Sequence, residues 1–362
     1  MEKLRVASLF CGCGGTDVGM DGGFKFLGKE YEKNPVKIVY ANDIEPSACK
    51  IFEENFGIKT DNRDIRLIKS DDLPDIDILT GGFPCQSFSI VAQNPKRLGI
   101  KDEKGTLFFE MCRILRDKQP SCFLAENVKG ILSANKGEAF PLIIDEFMKS
   151  GYNISYKLIN AADYGVPQRR QRVIIIGVRR DLNFTFEFPD KIIKNEEDYE
   201  PLSKVLQNKV DAKYIFSEKA VRGMLHAKKD MNKGRAQDVT KPCNTVGSHL
   251  AKVSLNSTDP VLFEAGKYRR FTPREVARIQ SFPDEFKLVG SEGAQYRALG
   301  NAIPPVMIWY VIRKLVKDIA TCVNEKSKLE IIDERTTIYA KDHQNELPNI
   351  IAPSLQYSTC ID

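Results

Sequence analysis

The stretch "RVASLFCGCGGTD", residues 5–17, runs an apolar, β-branched segment straight into a glycine-rich turn. A short apolar run closed by glycines reads as a buried strand. The same pattern recurs outward along the chain, in "KIVYAN" at 37–42, "DIDILT" at 75–80, "SCFLAEN" at 121–127 and "RVIIIGV" at 172–178. Between several of these lie segments such as "EPSACKIFEENF" from 45 and "GTLFFEMCRILRDK" from 105, whose apolar residues fall at spacings of three and four. That spacing is the signature of a helix with one buried face. Alternating strand and helix predicts an α/β fold with a doubly wound, mostly parallel sheet, in which working groups collect beyond the carboxyl ends of the strands. The first four predicted strands end in "FCGCGGTD", "NDIE", "GGFPCQ" and "ENV", so glycines, acids and one thiol meet at that edge.

The chain has 362 residues, 42% hydrophobic and 28% charged, with a formal net charge of +5. No apolar run is long enough to span a bilayer, and the opening "MEKLRVASLF" is followed by no small-residue cleavage site. A soluble, cytoplasmic protein with no membrane partner is expected. Nine scattered cysteines suit reduced thiols better than a disulfide framework. The mild positive charge permits a polyanionic partner without demanding one.

From about 180 to 265 the alternation fades into a polar region that includes "KAVRGMLHAKKDMNKGR" at 219–235, six Lys or Arg against one Asp. A second domain or large insertion is expected there. Pattern returns at "FTPREVARIQSFPDEF", residues 271–286, where Thr272 as cap, Pro273 in the first turn and Glu275 three residues on predict a helix start with a capping box. Beyond "YRALGNAIPPVMIWYVIRKLVKDI" the remaining chain is polar and weakly patterned, and reads as a surface extension.

Each strand end offers a distinct chemistry. The first loop has Gly12 and Gly14, but Asp17 stands where the dinucleotide fingerprint has its third glycine, so a nucleotide-like ligand without a pyrophosphate fits better. A glycine turn with no ligand remains the alternative. Asp43 sits where an acid accepts hydrogen bonds from ribose hydroxyls, and Ile44 beside it offers an apolar face to a purine. "CGC" has no matching Cys or His cluster, so no metal is expected.

Cys85 follows a rigid proline, which fixes where the sulfur points, and a thiol whose pKa is lowered by its surroundings is a nucleophile. A buried core position is the commoner fate of a cysteine, but "GGFPCQS" is an unusual core context. A cysteine-protease reading needs a histidine base, and His226, His249 and His343 all lie away from strand ends. Glu126, half buried at the end of an apolar strand, could stay protonated and donate to a substrate ring nitrogen; a salt-bridged acid is the bland alternative. In "GVPQRRQRVII", Arg170 and Arg172 occupy alternate positions of an incoming strand, hence one face, where guanidinium forks suit a carboxylate, a carbonyl or phosphates.

Taken in order, "FCGCGG", "NDIE", "RDI", "GGFPCQSFS", "ENV", "QRRQR", "RRFTPREVARIQSFPD" and "GNAIPP", spanning residues 9 to 306, resemble the motif series of the DNA cytosine-5 methyltransferases. The resemblance implies that Cys85 adds to carbon 6 of cytosine and makes carbon 5 a nucleophile toward the methyl group of S-adenosyl-L-methionine, leaving S-adenosyl-L-homocysteine. It implies that Glu126 holds ring nitrogen 3 and the exocyclic amine, Arg172 the ring carbonyl, with Arg170 orienting the site and Asn127 ordering the loop. Cofactor positions implied are Phe10, Gly12, Gly14, Asp43, Ile44, Asp64, Ile65, Pro84, Leu107, Asn301 and Ala302, with Asp64 meeting the adenine amine. The third motif departs from the family's Gly-Asp-Ile by carrying Arg63, and Cys11 and Cys13 are read as small fillers.

The organisation implied is a catalytic and cofactor-binding domain at 1–179, a target-recognition domain at 180–290, a segment at 291–322 that returns to complete the first domain, and an extension at 323–362. Residues 87–105, following the nucleophile, are expected to form a loop that closes on DNA around a flipped cytosine, and the basic run at 219–235 to contact phosphates. The implied partner is double-stranded DNA, the chain acting as a monomer in the bacterial cytoplasm, with a restriction endonuclease as its functional counterpart. A tRNA cytosine-5 methyltransferase would share most motifs, but that branch's Cys-Phe-Thr tripeptide is missing here. A non-catalytic DNA-binding relative would have lost the thiol or the glutamate, and both are present.

Overall fold

The computed structural model describes residues 3–84, 106–226, 236–251 and 259–322. Cys85, the expected closing segment 87–105, the lysine-rich residues 227–235 of the basic run and the extension 323–362 lie outside the described residues. The chain divides into two compact units, Met1–Lys317 and Asp318–Asp362. Of the second, residues 318–322 are described and are helical. All that follows concerns the first. No helix among the described residues is long and apolar enough to cross a membrane.

The first half of the unit alternates strand and helix. Strand β1 (Leu4–Leu9) leads to α1 (Gly15–Asp21), the hairpin β2 (Phe24–Phe26) and β3 (Lys29–Tyr31), then β4 (Val36–Asn42) and α2 (Pro46–Phe56). After β5 (Ile78–Gly81) come α3 (Thr106–Lys118), β6 (Cys122–Val128), α4 (Ala139–Lys149) and β7 (Tyr152–Asn160). Short β8 (Gln168–Arg169) precedes β9 (Gln171–Arg179). The six-stranded sheet has the order β4-β1-β5-β6-β9-β7. Strands β4, β1, β5 and β6 are mutually parallel, whereas β9 runs antiparallel to both β6 and β7. The expected mostly parallel, doubly wound sheet is therefore present, with one reversed strand.

All five predicted strands are present, and the largest boundary change has a cause. The predicted third strand began at residue 75, but β5 starts at Ile78, because Asp77 turns its carboxylate to the backbone N–H of Arg5 at 2.7 Å and to the Arg5 guanidinium. The alternation read for the two arginines is corrected. Arg170 falls in a tight turn between β8 and β9, its N–H donating to Gln168 O, and only Arg172 belongs to the strand.

One face of the sheet is covered by α3 and α4. Met111, Ile114, Leu115, Ile143 and Phe147 pack there on Leu79, Phe123, Ala125, Val173 and Ile175. Gly177 on β9 is what lets Phe123 lie across the sheet, since a Cβ there would stand 1.9 Å from its ring. Helix α1 packs through glycines against the chain segment that follows residue 301. A Cβ on Gly15 would meet Ile303 O at 2.4 Å, and one on Gly19 would meet Pro305 O at 2.5 Å. Residues 305–317 continue as a helix from that contact.

The described residues between 180 and 269 are mainly short turns, with α5 (Glu218–Leu225), the two-residue β10 (Cys243–Asn244) paired to β8, and the hairpin β11 (Leu262–Glu264) and β12 (Lys267–Arg269). The capping box expected at Thr272 opens α6 (Pro273–Ile279). The hydroxyl of Thr272 accepts from Glu275 N at 3.1 Å, and the Glu275 carboxylate accepts from Thr272 N at 2.8 Å. Glu275 is fully buried and also receives both Nη groups of Arg269, at 2.8 and 2.9 Å. Helix α7 (Glu292–Asn301) then brings the chain back beside α1.

Candidate active site

The chain leaves β1 for β4 on one side and later enters β5 on the other, so a crevice opens between the carboxyl ends of β1 and β5. Ligands in open α/β sheets bind at such a switch point. A cavity of about 850 Å³ lies there, a volume within the range of small-molecule sites. Its wall takes Phe10 and Gly12 from beyond β1, Asp43 and Ile44 from beyond β4, Asp64 and Ile65 from the turn before β5, and Pro84 from beyond β5. Leu107 of α3, Glu126 of β6, and Asn301 and Ala302 at the end of α7 complete it. Eleven of the positions singled out from sequence thus share one cavity.

The glycine loop is held open by its own geometry and by one acid. Phe10 and Gly12 have φ of 52° and 55°, and Gly14 has 90°, left-handed values that glycine adopts without strain and phenylalanine does not. Gly14 is absent from the cavity wall and instead supports the loop, because a Cβ there would stand 2.3 Å from the Phe56 ring. Asp43 spans the loop from the next strand. One carboxylate oxygen accepts from Gly12 N and the other from Glu45 N, both at 2.8 Å. Burial raises its pKa, and these two N–H groups act to lower it.

The turn before β5 is a network of acids and arginines. Asp64 accepts from Arg66 N at 2.9 Å and from the Arg66 guanidinium, which holds its carboxyl below the usual carboxylate range. Arg63, the departure from the family pattern, is turned onto Asp61 at 2.7 Å and Asp72 at 3.0 Å. Ile65 is buried, whereas Ile44 is 64% exposed and offers an open apolar face at the cavity rim.

Glu126 is the acid on β6. Its Oε1 lies 2.8 Å from Arg172 Nε, both side chains only 12% exposed. Strand register explains the pairing, because Arg172 sits opposite Val128, two residues past Glu126 on the antiparallel neighbour. Burial raises the Glu126 pKa, opposed by Arg172 and then Arg170. A Cβ at Gly82 would stand 3.3 Å from Glu126 Oε2, so the glycine brings the strand leading to Cys85 close to this carboxyl. Asn127 donates to Phe83 O at 3.0 Å, fixing the same stretch of chain.

Arg170 and Arg172 are not among the residues of the cavity wall. Arg170 is 1% exposed and donates to Val246 O at 3.1 Å and Gly300 O at 3.0 Å, clamping two distant main-chain segments together. Those segments are so close that a Cβ on Gly300 would meet Gly247 O at 2.2 Å. Burial pulls Arg170 down to about 9, so it remains charged at neutral pH.

Several residues of the wall carried no signal in the sequence reading. Glu45, Arg66 and Arg297 line the cavity, as do Ser8 and Thr80. Glu45 stood within the quoted "NDIE", so its strand-end position was the available clue. Arg66 and Arg297 lie in a turn and in α7, where nothing in residue spacing separates a rim position from a solvated one.

An open, mostly parallel sheet whose switch point gathers a glycine loop and two acids, Asp43 beyond β4 and Asp64 before β5, beside a buried carboxyl–guanidinium pair has the architecture of a Rossmann-like methyltransferase. The chain belongs to the C-5 cytosine-specific DNA methylase family, whose model matches residues 4–317. It is a DNA cytosine-5 methyltransferase. It is 37% identical to the Type II methyltransferase M.FnuDI of Fusobacterium nucleatum, over 91% of this chain and 98% of that protein. The Type II methyltransferase M.NgoFVII of Neisseria gonorrhoeae is 36% identical, over 84% of each chain. The crystal structure of S. pombe Dnmt2 methyltransferase shares the fold with a TM-score of 0.69 at 22% identity, covering 87% of this chain and 99% of that one.

Proposed function

We propose that the protein methylates carbon 5 of a cytosine swung out of double-stranded DNA, using S-adenosyl-L-methionine held at the switch-point cavity and a transient bond from Cys85. The observation that carries this reading is Glu126. Its carboxyl is buried, gripped on one side by Arg172 and facing Gly82 on the chain that leads into Cys85.

The cavity suits the cofactor's chemistry. Asp43 and Asp64 offer carboxylates at two separate points of the wall, while Ile44, Ile65 and Leu107 offer apolar faces to a purine. When bound, S-adenosyl-L-methionine supplies a methyl group on a cationic sulfonium. The protein's part is to make carbon 5 nucleophilic. The Cys85 thiolate adds to carbon 6, and the ring electron pair moves toward carbon 5. Glu126 stabilises the resulting ring by holding nitrogen 3 and the exocyclic amine, and Arg172 holds the carbonyl oxygen. Once carbon 5 carries the methyl group, its proton leaves to a base, the sulfur–carbon 6 bond breaks and the thiolate returns. Burial that raises the Glu126 pKa favours the protonated form that donates to nitrogen 3.

A base within a duplex cannot reach the thiol, so flipping is part of the reading, at a cost of roughly a few kcal/mol. Residues 1–179 with the returning chain from 291 are assigned to catalysis, and 180–290 to target recognition. Relatives named Type II methyltransferases support a role as the modification partner of a restriction endonuclease. The test is transfer of labelled methyl groups to duplex DNA and to tRNA, followed by bisulfite sequencing. Label on cytosine of duplex DNA alone is expected, and label on tRNA alone would replace this reading with the other.

A further inference from the structure

Ser8 on β1 and Thr80 on β5 are register partners across the switch point, with their hydroxyl oxygens 3.3 Å apart, and both line the cofactor cavity. Behind them, in the first turn of α1, stands Asp17. It is fully buried, and neither carboxyl oxygen has a close hydrogen-bond partner among the described residues. A buried carboxylate without partners is among the costliest groups a fold can hold, whereas its protonated form is cheaper.

Resting on the assignment of S-adenosyl-L-methionine to this cavity, we propose that Asp17 is a buried counter-charge that lets the pocket distinguish the cationic methyl donor from its neutral product. The donor carries a permanent positive sulfur, the product a neutral thioether, and both carry the same α-amino acid group. Only the sulfonium therefore separates the two ligands electrostatically. Burial pushes the Asp17 carboxyl up to about 7, with the Ser8 hydroxyl acting to lower it. Around neutrality the acid is divided between its two forms, and a cation arriving at the cavity floor favours the ionised one. The neighbouring ionisable groups leave this role open. The Cys11 and Cys13 thiols of the loop are driven upward by burial and stay neutral. Asp43 beyond β4, with Gly12 N and Glu45 N donating to it, is an acid of the wall in the parent and in Asp17→Asn alike, so the comparison of the two isolates Asp17. The segment 303–308 packed against α1 carries only apolar side chains. Asp17 is thus a positioning residue for charge, one that does not itself line the cavity.

The test is calorimetric titration of the full chain with S-adenosyl-L-methionine and with S-adenosyl-L-homocysteine, in buffers of different ionisation heat, for the parent and Asp17→Asn. At pH 7 the donor is expected to release up to about half a proton more from the parent than from Asp17→Asn, because a group with that pKa is about half protonated there. The comparison with the variant cancels protons lost by the ligand's own amine. The donor-over-product preference of the parent should rise between pH 6 and 8 and be reduced about three- to tenfold in the variant, one pKa unit being tenfold in affinity. Equal proton release by the parent and a variant that binds, or an unchanged preference, would overturn the proposal while leaving the cofactor assignment intact. If Asp17→Asn fails to fold, the parent decides alone, since a donor-over-product preference that is flat from pH 6 to 8 rejects it. Binding of neither ligand to the parent would reject the cofactor assignment and this proposal together.

Discussion

Asn127 donates its side-chain amide to the carbonyl oxygen of Phe83 across 3.0 Å, joining the end of β6 to the chain two residues before Cys85. The amide oxygen is also used, accepting from Val128 N at 2.9 Å. Asn127 is 3% exposed, so both bonds are shielded from water. One side chain therefore couples the strand that carries Glu126 to the segment that leads to Cys85.

Replacing Asn127 by Ala removes its bonds to Phe83 O and from Val128 N, and losing the partner of a buried polar group costs about 1–3 kcal/mol. Stability should fall by that amount in denaturant unfolding. Methyl transfer at saturating cofactor should fall at least about tenfold, since misplacement by a fraction of an ångström lowers rates steeply.

Glu126→Gln tests the buried carboxyl. Methyl transfer is expected to fall by about 10²–10³-fold, the usual loss when one group that stabilises developing charge is removed. Its effect on stability depends on pH. The folded-state pKa of Glu126 is raised, so the folded protein holds this proton more tightly than the unfolded chain, and stability falls as pH rises from the ordinary glutamate value toward the raised one. Relative to the parent, the variant should gain stability across that window and change little above it, as read by unfolding at a series of pH values.

Arg170 and Arg172 separate in their consequences. Arg170→Met frees the carbonyls of Val246 and Gly300 and should destabilise by about 2–6 kcal/mol, from two unpaired buried acceptors at about 1–3 kcal/mol each. Arg172→Met removes the partner of Glu126 and should act first on turnover. Unfolding free energies and kcat measured for both variants check the distinction.

Asp43→Ala removes the acceptor of both Gly12 N and Glu45 N. Affinity for S-adenosyl-L-methionine should fall at least tenfold, about 1.4 kcal/mol, by calorimetry, with kcat at saturation less affected.

Much of this site was legible because its residues stand at the ends of apolar strands. Asp43 follows and Glu126 lies near the end of a strand with a largely buried core, and a doubly wound sheet brings such ends together. Strand β7, "YNISYKLIN", was missed because it is an edge strand paired only with β9, with mixed burial and no continuous apolar run. Arg170 was misplaced because a turn at Gln168–Arg170 interrupts the strand, and nothing in "QRRQR" marks it. Asp17 was seen only as a missing glycine. The close packing a third glycine would serve falls to Gly15 and Gly19 against the returning chain, a partnership invisible until the two ends of the unit are brought together.

The central claim is that Cys85 bonds to the target base, and 5-fluorocytosine tests it directly, because fluorine at carbon 5 cannot leave as a proton does and the adduct is trapped. Incubated with S-adenosyl-L-methionine and duplex DNA carrying that base in the recognised sequence, the protein should become covalently tethered, with the modified peptide containing Cys85, and Cys85→Ser should give no adduct. A parent protein that methylates ordinary DNA yet never becomes tethered, or a tether that maps to another residue, would contradict the account.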